Sequence, residues 1–195
     1  NASAATVITG TAAAIATAMA STGISDAADV GVTVDAGSVA AADLNTIDGA
    51  TTAVVDASSV TEITGTAAAI STAIDSSGID TPAGVDVTVS AGSADAGNLN
   101  TINTNTTAVV DASSVTELTG TAGAIASAIN AAGINSAADV DITVDAGTAA
   151  AADLNTIDGK TAVVVDASAV TEITGTAANI KTAMSSTGIT DAADV

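Results

Sequence analysis

The sequence predicts an α/β solenoid in which short parallel strands stack along a straight or gently twisted rod, with Ala-rich helices on the other side. The segment "ITGTAA" that begins at Ile8 returns with small changes at Ile63, Leu118 and Ile173, so the sequence repeats every 55 residues without insertion or deletion. A fixed period of this size is typical of solenoids and repeat arrays. Each repeat also alternates Ala-rich stretches, which favour helix, with Val-rich stretches, which favour strand.

The repeats account for the whole chain, and residues 1–195 are predicted to form a single repetitive segment. Complete repeats cover residues 8–62, 63–117 and 118–172, and partial repeats cover residues 1–7 and 173–195. The sequence starts and stops within a repeat, and it has no divergent polar repeat of the kind that caps a solenoid. We therefore expect it to belong to a longer repetitive chain or to stack on copies of itself.

The first helix of each repeat is predicted from the segment "TAAAIATAMASTGI". Thr11 is a suitable N-cap, and Ile15 and Met19 lie one turn apart on one face. Gly23 stands where a C′ glycine commonly ends a helix. The same positions recur as Ile70, Ile74 and Gly78, as Ile125, Ile129 and Gly133, and as Ile180, Met184 and Gly188.

Three short strands and a second helix complete the repeat. Val32 and Val34 flank a threonine in "GVTVDAG", the alternation of a strand. The segment "VAAADLNTIDG" indicates a shorter helix, with Leu44 and Ile47 on one face and Gly49 at its end. We predict a second strand in "AVVDAS" and a third in "VTEIT".

Each repeat is therefore interpreted as two α/β coils of unequal length, marked by the spacings from Asp35 to Asp56 and from Asp56 to Ser90. The strands of successive coils are expected to stack in one parallel sheet at about 4.8 Å. Helices usually need about 8–10 Å, and the small Ala, Ser and Thr side chains reduce this mismatch. The alternative is an all-β parallel helix with the Ala-rich segments as turns, which the helix propensity of alanine opposes.

The composition excludes most enzymes and nucleic-acid-binding proteins. The chain has no His, no Cys and no aromatic residue, and its 22 acidic and two basic residues give a net charge of −20. Without an imidazole base or a thiolate nucleophile, we predict no catalytic residues, no enzyme activity and no small-molecule substrate. The negative charge and the lack of stacking rings exclude nucleic acid as a partner. No segment has the length and low polarity of a transmembrane helix.

An acidic series recurs at Asp56, Asp111 and Asp166. Acidic secreted repeats often fold around calcium, so these aspartates are the metal ligands to test if calcium binds. Alternatively, each aspartate ends a strand and accepts hydrogen bonds from the backbone N–H groups that follow. The matching series is Asp35, Ser90 and Asp145. Because Ser90 keeps the capping oxygen and loses the charge, we predict no metal and no other cofactor, with calcium as the open alternative.

Further polar series have structural interpretations. Ser59 precedes Glu62 by three residues, as in a capping box. Asn45 and its copies are expected to form an amide ladder. The recurring threonines could suggest an ice-binding face, but one threonine per repeat, such as Thr33, is sparse for that function. Asp48 becomes asparagine in the second repeat, so we interpret its charge as a surface property. The copies of these residues are Ser114, Glu117, Glu172, Asn100, Asn155, Thr88 and Thr143.

The segment "DLNTIDGKTAVVVDASAVTEITGTAANI" resembles the long tandem repeats of very large secreted or cell-surface proteins of bacteria, cyanobacteria in particular. The resemblance covers essentially the whole chain and implies an extracellular or cell-surface structural or adhesive protein. Calcium-binding nonapeptides of the form "GGxGxD", which accompany some of these repeats, are missing from this sequence. The resemblance therefore implies neither calcium-driven folding nor any catalytic residue.

The sequence as a whole predicts a structural protein that builds an extracellular fibre, a sheath or an adhesin stalk. Its expected partners are copies of itself, joined end to end, because open solenoid ends present unpaired strand edges. Two alternatives remain open: a spacer in a calcium-dependent adhesin and a rod in a virus-borne fibre. Calcium would raise the melting temperature in the first case, and a defined trimer would indicate the second.

Overall fold

The structure, a computed structural model, describes residues 2–191 and residue 195. Within these residues seven helices alternate with strands, and the sheets contain parallel strands only. The predicted α/β class is confirmed, and the Ala-rich segments are helices rather than the turns of an all-β parallel helix. The helices are α1 (Ala12–Met19), α2 (Ala41–Asp48), α3 (Ala67–Asp75), α4 (Ala96–Asn105), α5 (Ala122–Asn130), α6 (Ala151–Asp158) and α7 (Ala177–Ser185).

The strands are short, from two to six residues. They are β1 (Val7–Gly10), β2 (Gly31–Val34), β3 (Gly37–Ala40), β4 (Val55–Asp56), β5 (Val60–Gly65), β6 (Ile79–Asp80), β7 (Asp86–Val89), β8 (Gly92–Asp95), β9 (Val110–Ala112), β10 (Val115–Gly120), β11 (Ile134–Ser136), β12 (Asp141–Val144), β13 (Gly147–Ala150), β14 (Val165–Ala167), β15 (Val170–Thr174) and β16 (Ile189–Asp191). All three predicted strands of the repeat are present, as β2, β4 and β5 in the first copy.

Contacts between residues divide the chain into two compact units. Unit 1 comprises Asn1–Val89 and Thr101–Val110, and unit 2 comprises Ser90–Asn100 and Asp111–Val195. In unit 1, one parallel sheet has the order β1-β2-β4-β6, and β3, β5 and β7 pair in a second one. Alternate side chains of these strands point into the core, because successive residues of a strand face opposite sides of the sheet.

The five-stranded sheet of unit 2 shows how the core is built. Its strand order is β16-β14-β12-β10-β8, and residues in register form a continuous apolar column. The column consists of Ala94, Leu118, Ile142, Val165 and Ile189, all buried. Thr and Asp side chains occupy the neighbouring, outward-facing positions. This alternation keeps apolar side chains on one face of the sheet and polar ones on the other.

The strands lie in several sheets and not in the one sheet that the sequence predicted. Residues in register are 23 or 24 positions apart, as for Leu118, Ile142 and Val165. Two of these register steps together cover fewer residues than the 55 of one repeat. Equivalent strands of successive repeats therefore enter different sheets: β10 belongs to the five-stranded sheet of unit 2, whereas β15 pairs with β13.

The helices begin as the sequence predicts. The Thr11 hydroxyl accepts a hydrogen bond from the backbone N–H of Ala14 at 3.3 Å, and Thr66, Thr121 and Thr176 cap their helices in the same way. Leu44 and Ile47 are buried on one face of α2, which ends at Gly49. None of the described helices, of which α4 is the longest with ten residues, is long and apolar enough to cross a membrane.

The predicted role of Gly23, Gly78 and Gly188 as C′ residues is wrong. Helix α1 ends at Met19, and the C-cap of α3 is Ser76, so these glycines lie beyond the helix ends. None of the three has positive φ. At Gly78 the reason for glycine is a close contact, because a Cβ atom there would overlap the carboxylate of Asp48. Gly188 stands against the carboxylate of Asp158 in the same way. The fourth copy, Gly133, lies in the turn that follows α5.

A different glycine is needed for its backbone conformation. Gly65, in the segment "ITGT", is the last residue of β5 and directly precedes Thr66, the N-cap of α3; its φ is +146°, which residues with a side chain rarely adopt. Space is not the constraint, because a Cβ atom at this position would lie 3.6 Å from the Cβ of Ala41, an ordinary van der Waals contact. The glycine of "ITGT" is therefore explained by the turn from strand to helix.

Candidate functional site

The aspartates that the sequence selected as possible calcium ligands make local hydrogen bonds. Asp56 Oδ1 accepts hydrogen bonds from the backbone N–H of Ser58 at 3.2 Å and from the Ser58 hydroxyl at 2.6 Å. Asp111 and Asp166 accept the N–H of Ser113 and Ser168 at 3.0 Å. These bonds are the Asx arrangement that the sequence predicts, and they hold the pKa of each aspartate below its usual range.

The structure does not bring Asp111 and Asp166 into one site. Asp166 lies on β14 of the five-stranded sheet, opposite Thr143 and Thr190, whereas β9, which carries Asp111, is not a strand of that sheet. In unit 1, Asp56 lies opposite Asp80 on the neighbouring strand. Across residues 2–191 no group of three or more His, Cys, Asp or Glu side chains is arranged to hold a metal ion. The absence of a metal stays a prediction, with calcium as the open alternative.

The Ser58 hydrogen bonds lead to a testable pKa change. Replacing Ser58 by alanine removes the side-chain hydrogen bond, so the pKa of Asp56 should rise towards its usual value of 3.8. A carboxyl group whose pKa is lower in the folded state than in the unfolded state stabilises the fold at pH values above the unfolded-state pKa. This stabilisation is lost as the pH falls through the folded-state pKa. The stability difference between wild type and Ser58→Ala should therefore be present at neutral pH and vanish in acid.

Carbon-13 NMR titration of the Asp56 carboxylate measures this change. Ser59→Ala is the matched control, because Ser59 is the adjacent serine and contributes no hydrogen bond that lowers the Asp56 pKa. An unchanged Asp56 titration in Ser58→Ala would show that the hydroxyl does not control this carboxylate.

Glu62 is not part of a capping box, because it lies within β5 and not at the start of a helix. Its Oε1 accepts a hydrogen bond from Thr88 on the next strand at 2.8 Å. A hydrogen bond from Ser38, on the preceding strand, and the one from Thr88 lower the pKa of Glu62. Glu62 therefore links three successive strands. The Thr88 contact recurs as Thr143 with Glu117 at 3.0 Å, and the Ser38 contact recurs as Thr148 with Glu172 at 3.0 Å.

The asparagines do not form an amide ladder. Asn45 Nδ2 donates to the backbone carbonyl of Ala69 in α3 at 2.9 Å, and Asn155 Nδ2 donates to that of Asn179 in α7 at 3.1 Å. Asn100 bonds to Ala124 of α5 in the same way at 2.9 Å. Each amide reaches the first turn of the next helix because that carbonyl, and not another asparagine, lies beside it. The Oδ1 atoms of Asn45 and Asn155 are buried without a hydrogen-bond partner among the described residues.

Asp48 has a structural contact, so its interpretation as mere surface charge is wrong. Its Oδ2 accepts a hydrogen bond from the Ser76 hydroxyl at 2.9 Å, and that hydroxyl accepts one from the N–H of Gly78 at 3.1 Å. We call this group the Asp–Ser–Gly clasp. A second clasp consists of Asp158, Ser186 and Gly188, with distances of 2.8 and 3.0 Å.

A polar cleft of about 140 Å³ lies beside the N-termini of α1 and α2 in unit 1. Its polar lining includes Thr11, Asp35, Ser38 and Asp43. The Thr11 hydroxyl already caps α1, and the chain has no His or Cys to serve as a base or a nucleophile. We therefore interpret the cleft as a consequence of how the successive helices α1 and α2 pack, and not as a functional site.

The outer face of α7 exposes side chains that other copies bury. Ala12 and Ala122, which start α1 and α5, are 2% and 3% exposed, whereas Ala177 at the same position of α7 is exposed. Ile74 is 7% exposed, and its counterpart Met184 is 52% exposed. Helices α2 and α6 pack next to α1 and α5. The exposed face of α7 is therefore the face on which a further helix packs in the earlier copies.

No known protein family model matches this sequence, and neither the curated proteins nor the solved structures provide a significant match. The resemblance to bacterial surface repeats consequently stays a prediction from the sequence motifs.

Sequence reasoning missed the clasp and the bridging role of Glu62. Both join residues 24 to 28 positions apart, outside the range of local motifs. One signal was available: the second repeat has Asn103 in place of the clasp aspartate and Ala131 in place of the clasp serine. The paired loss indicates that the two positions depend on each other.

Proposed function

We propose that this chain is a structural protein, a repetitive α/β solenoid that builds an extracellular fibre, a sheath or an adhesin stalk. It does so by stacking end to end on copies of itself or as part of a longer chain. The observation that supports this function best is the recurrence of one contact between successive helices. Asn45 bonds to α3 in unit 1 and Asn155 bonds to α7 in unit 2, each across 24 residues.

Repeated contacts of this kind suit an array that must resist mechanical force. When each layer contacts only its neighbours, the free energy of unfolding is approximately a sum of similar contributions from the layers and from the interfaces between them. A layer can then be added without changing the core of the others. The Glu62 bridge adds hydrogen bonds between strands, and the clasp adds a hydrogen bond between successive turns. In the proposed solenoid, these contacts would run along the stacking direction.

The charge of the chain favours stacking in one direction. A net charge of −20 opposes side-by-side association of fibres built from this chain. Salt weakens this repulsion, because the screening length is about 8 Å at physiological ionic strength. Bundling of fibres is therefore expected to increase with salt, while stacking itself depends on apolar contacts and strand pairing.

Electron microscopy of the native material with helical averaging tests this function. We expect filaments with an axial rise of about 10 Å per 55-residue repeat, because each repeat would add two strand layers. Discrete particles of uniform mass would contradict the filament and indicate a spacer whose activity lies elsewhere. A defined trimer would instead favour the virus-borne fibre.

A calcium-dependent adhesin spacer is the second candidate, and the sheet register supports it. Asp56 lies opposite Asp80, and Glu62 lies opposite Asp86, on neighbouring parallel strands. Like charges directly opposite each other destabilise a sheet, and a bound divalent cation would remove this penalty.

Calcium is therefore expected to raise the melting temperature by several degrees at millimolar concentration if this second function applies, and a chelator should reverse the rise. Differential scanning calorimetry measures the shift. Sodium chloride at equal ionic strength is the control, because it screens charge without occupying a site. An equal rise with sodium would mean screening alone and would exclude the calcium-dependent spacer.

A further inference from the structure

Asp–Gly peptide bonds occur at two places in this chain, and the aspartate of each belongs to a clasp. They are Asp48–Gly49 at the end of α2 and Asp158–Gly159 at the end of α6. An aspartate followed by glycine cyclises readily, because glycine has no side chain to hinder attack by its backbone nitrogen on the aspartate carboxyl group. The two clasp aspartates are therefore the carboxyl groups of this chain that are most prone to this reaction.

The second repeat has lost the Asp–Gly pair and the clasp serine together. Asn103 and Thr104 stand at the positions of Asp48 and Gly49, and Ala131 stands at that of Ser76. The other two copies of this segment have both the pair and the serine. Because the serine is present only where the reactive pair is present, the pattern indicates that the serine acts on that pair.

The backbone conformation of the two glycines does not require glycine. Gly49 has φ of −68° and ψ of −14°, and Gly159 has φ of −72° and ψ of −9°. These are right-handed helical values that residues with a side chain also adopt. Helix α4, which has Thr104 at this position, continues to Asn105. Alanine can therefore replace Gly49 without backbone strain.

The folded structure engages both reacting groups in other bonds. The N–H of Gly49 donates to the Asn45 carbonyl at 3.0 Å in the last turn of α2. The Asp48 carboxylate accepts the Ser76 hydroxyl at 2.9 Å, which connects the end of α2 to the C-cap of α3. The ring cannot close while residue 48 keeps helical dihedral angles, so the last turn of α2 has to open first.

We propose that Asp48–Gly49 and Asp158–Gly159 are sites of spontaneous isoaspartate formation, and that the clasp serines control its rate by holding the helix ends closed. Helix ends fray readily, and both glycines are exposed to water. Each opening has to break the clasp hydrogen bond, so its removal makes opening more frequent. This chemistry is independent of the structural function proposed above.

The reaction needs no partner other than water. The nitrogen of Gly49 attacks Cγ of the protonated Asp48 carboxyl group, a C–N bond forms, a C–O bond breaks, and the amide proton leaves with the hydroxyl as water. Another water molecule then opens the succinimide ring. Attack at Cγ restores aspartate, whereas attack at the main-chain carbonyl carbon gives isoaspartate of unchanged mass. Isoaspartate inserts one carbon atom into the main chain and so changes the position of the carboxylate that the clasp uses.

Long incubation at physiological temperature and pH, followed by peptide mass spectrometry with electron-transfer fragmentation, measures isoaspartate at each site. We expect Ser76→Ala to raise the rate at Asp48 about tenfold, because losing a hydrogen bond to a charged group makes opening that much more frequent. The rate at Asp158 should not change. Ser186→Ala should show the reverse pattern, so the two sites are controls for each other.

Thr66→Ala is the matched control for a general loss of stability. It removes the hydrogen bond that caps α3 at the end opposite Ser76 and leaves the clasp in place. Isoaspartate at Asp48 should therefore stay at the wild-type level in this variant. Gly49→Ala should suppress isoaspartate at Asp48 even when Ser76 is replaced, because the added methyl group hinders the attack. The wild-type chain in concentrated urea gives the rate of the unprotected bonds.

Each outcome supports or overturns the proposal. A rise at Asp48 and Asp158 that each occurs only with loss of its own serine would support it. An unchanged rate at Asp48 in Ser76→Ala, or an equal rise in Thr66→Ala, would show that the clasp does not control the reaction. Equal rates for the native and the urea-unfolded chain, or no isoaspartate in the unfolded chain, would also overturn it.

Discussion

Replacing Leu118 by alanine is expected to lower the free energy of unfolding by about 3 kcal/mol, because the removed methyl groups leave a cavity in the core. Leu118 is 2% exposed and lies in register between Ala94 and Ile142 in the five-stranded sheet of unit 2. The small Ala94 on one side leaves little that could fill the space. Urea denaturation followed by circular dichroism measures the change.

Val164→Ala is the control for this substitution. Val164 is 56% exposed, whereas the next residue, Val165, is 0% exposed and belongs to the same column as Leu118. The change at Val164 should alter the free energy of unfolding by less than about 0.5 kcal/mol. Similar losses for Leu118→Ala and Val164→Ala would mean that this column is not the core of unit 2.

Local features of the repeat could be predicted from the sequence because their causes lie within a few residues. The Thr11 cap bonds to a backbone group three positions on, and the apolar faces of the helices follow from a spacing of three or four residues. The Asx bonds of Asp56 span two residues. In each case the interacting groups are neighbours in the sequence, so the geometry of the interaction follows from the local sequence pattern.

Contacts between successive turns could not be predicted, since they depend on how far one turn is offset from the next. The partners of Glu62, Asn45 and Asp48 lie 24 to 28 residues away. The distribution of strands among several sheets has the same origin, because the register step of 23 or 24 residues does not divide the repeat evenly. A period of 55 residues specifies what recurs but not which recurring groups meet.

Gly78→Ala is expected to destabilise unit 1 by about 2 kcal/mol, the usual effect of forcing an extra methyl group into a packed site. The new Cβ would overlap the carboxylate of Asp48, which the Ser76 hydroxyl holds in place. Gly23→Ala is the matched control in the same slot of the repeat. A Cβ at Gly23 would lie 3.6 Å from the nearest recorded atom, Ser21 Oγ, which is ordinary van der Waals contact.

A double-mutant cycle shows whether the clasp is the cause. In an Asp48→Ala background the obstructing carboxylate is gone, so Gly78→Ala should lose most of its cost, with a coupling energy of about 1–2 kcal/mol. Gly78 has no positive φ that would make alanine unfavourable by itself. A cost that persists without Asp48, or that is equal at Gly23, would therefore contradict the clasp. A cost that disappears with Asp48 would show that position 78 requires glycine because of a carboxylate from the preceding helix, and not because the glycine ends a helix.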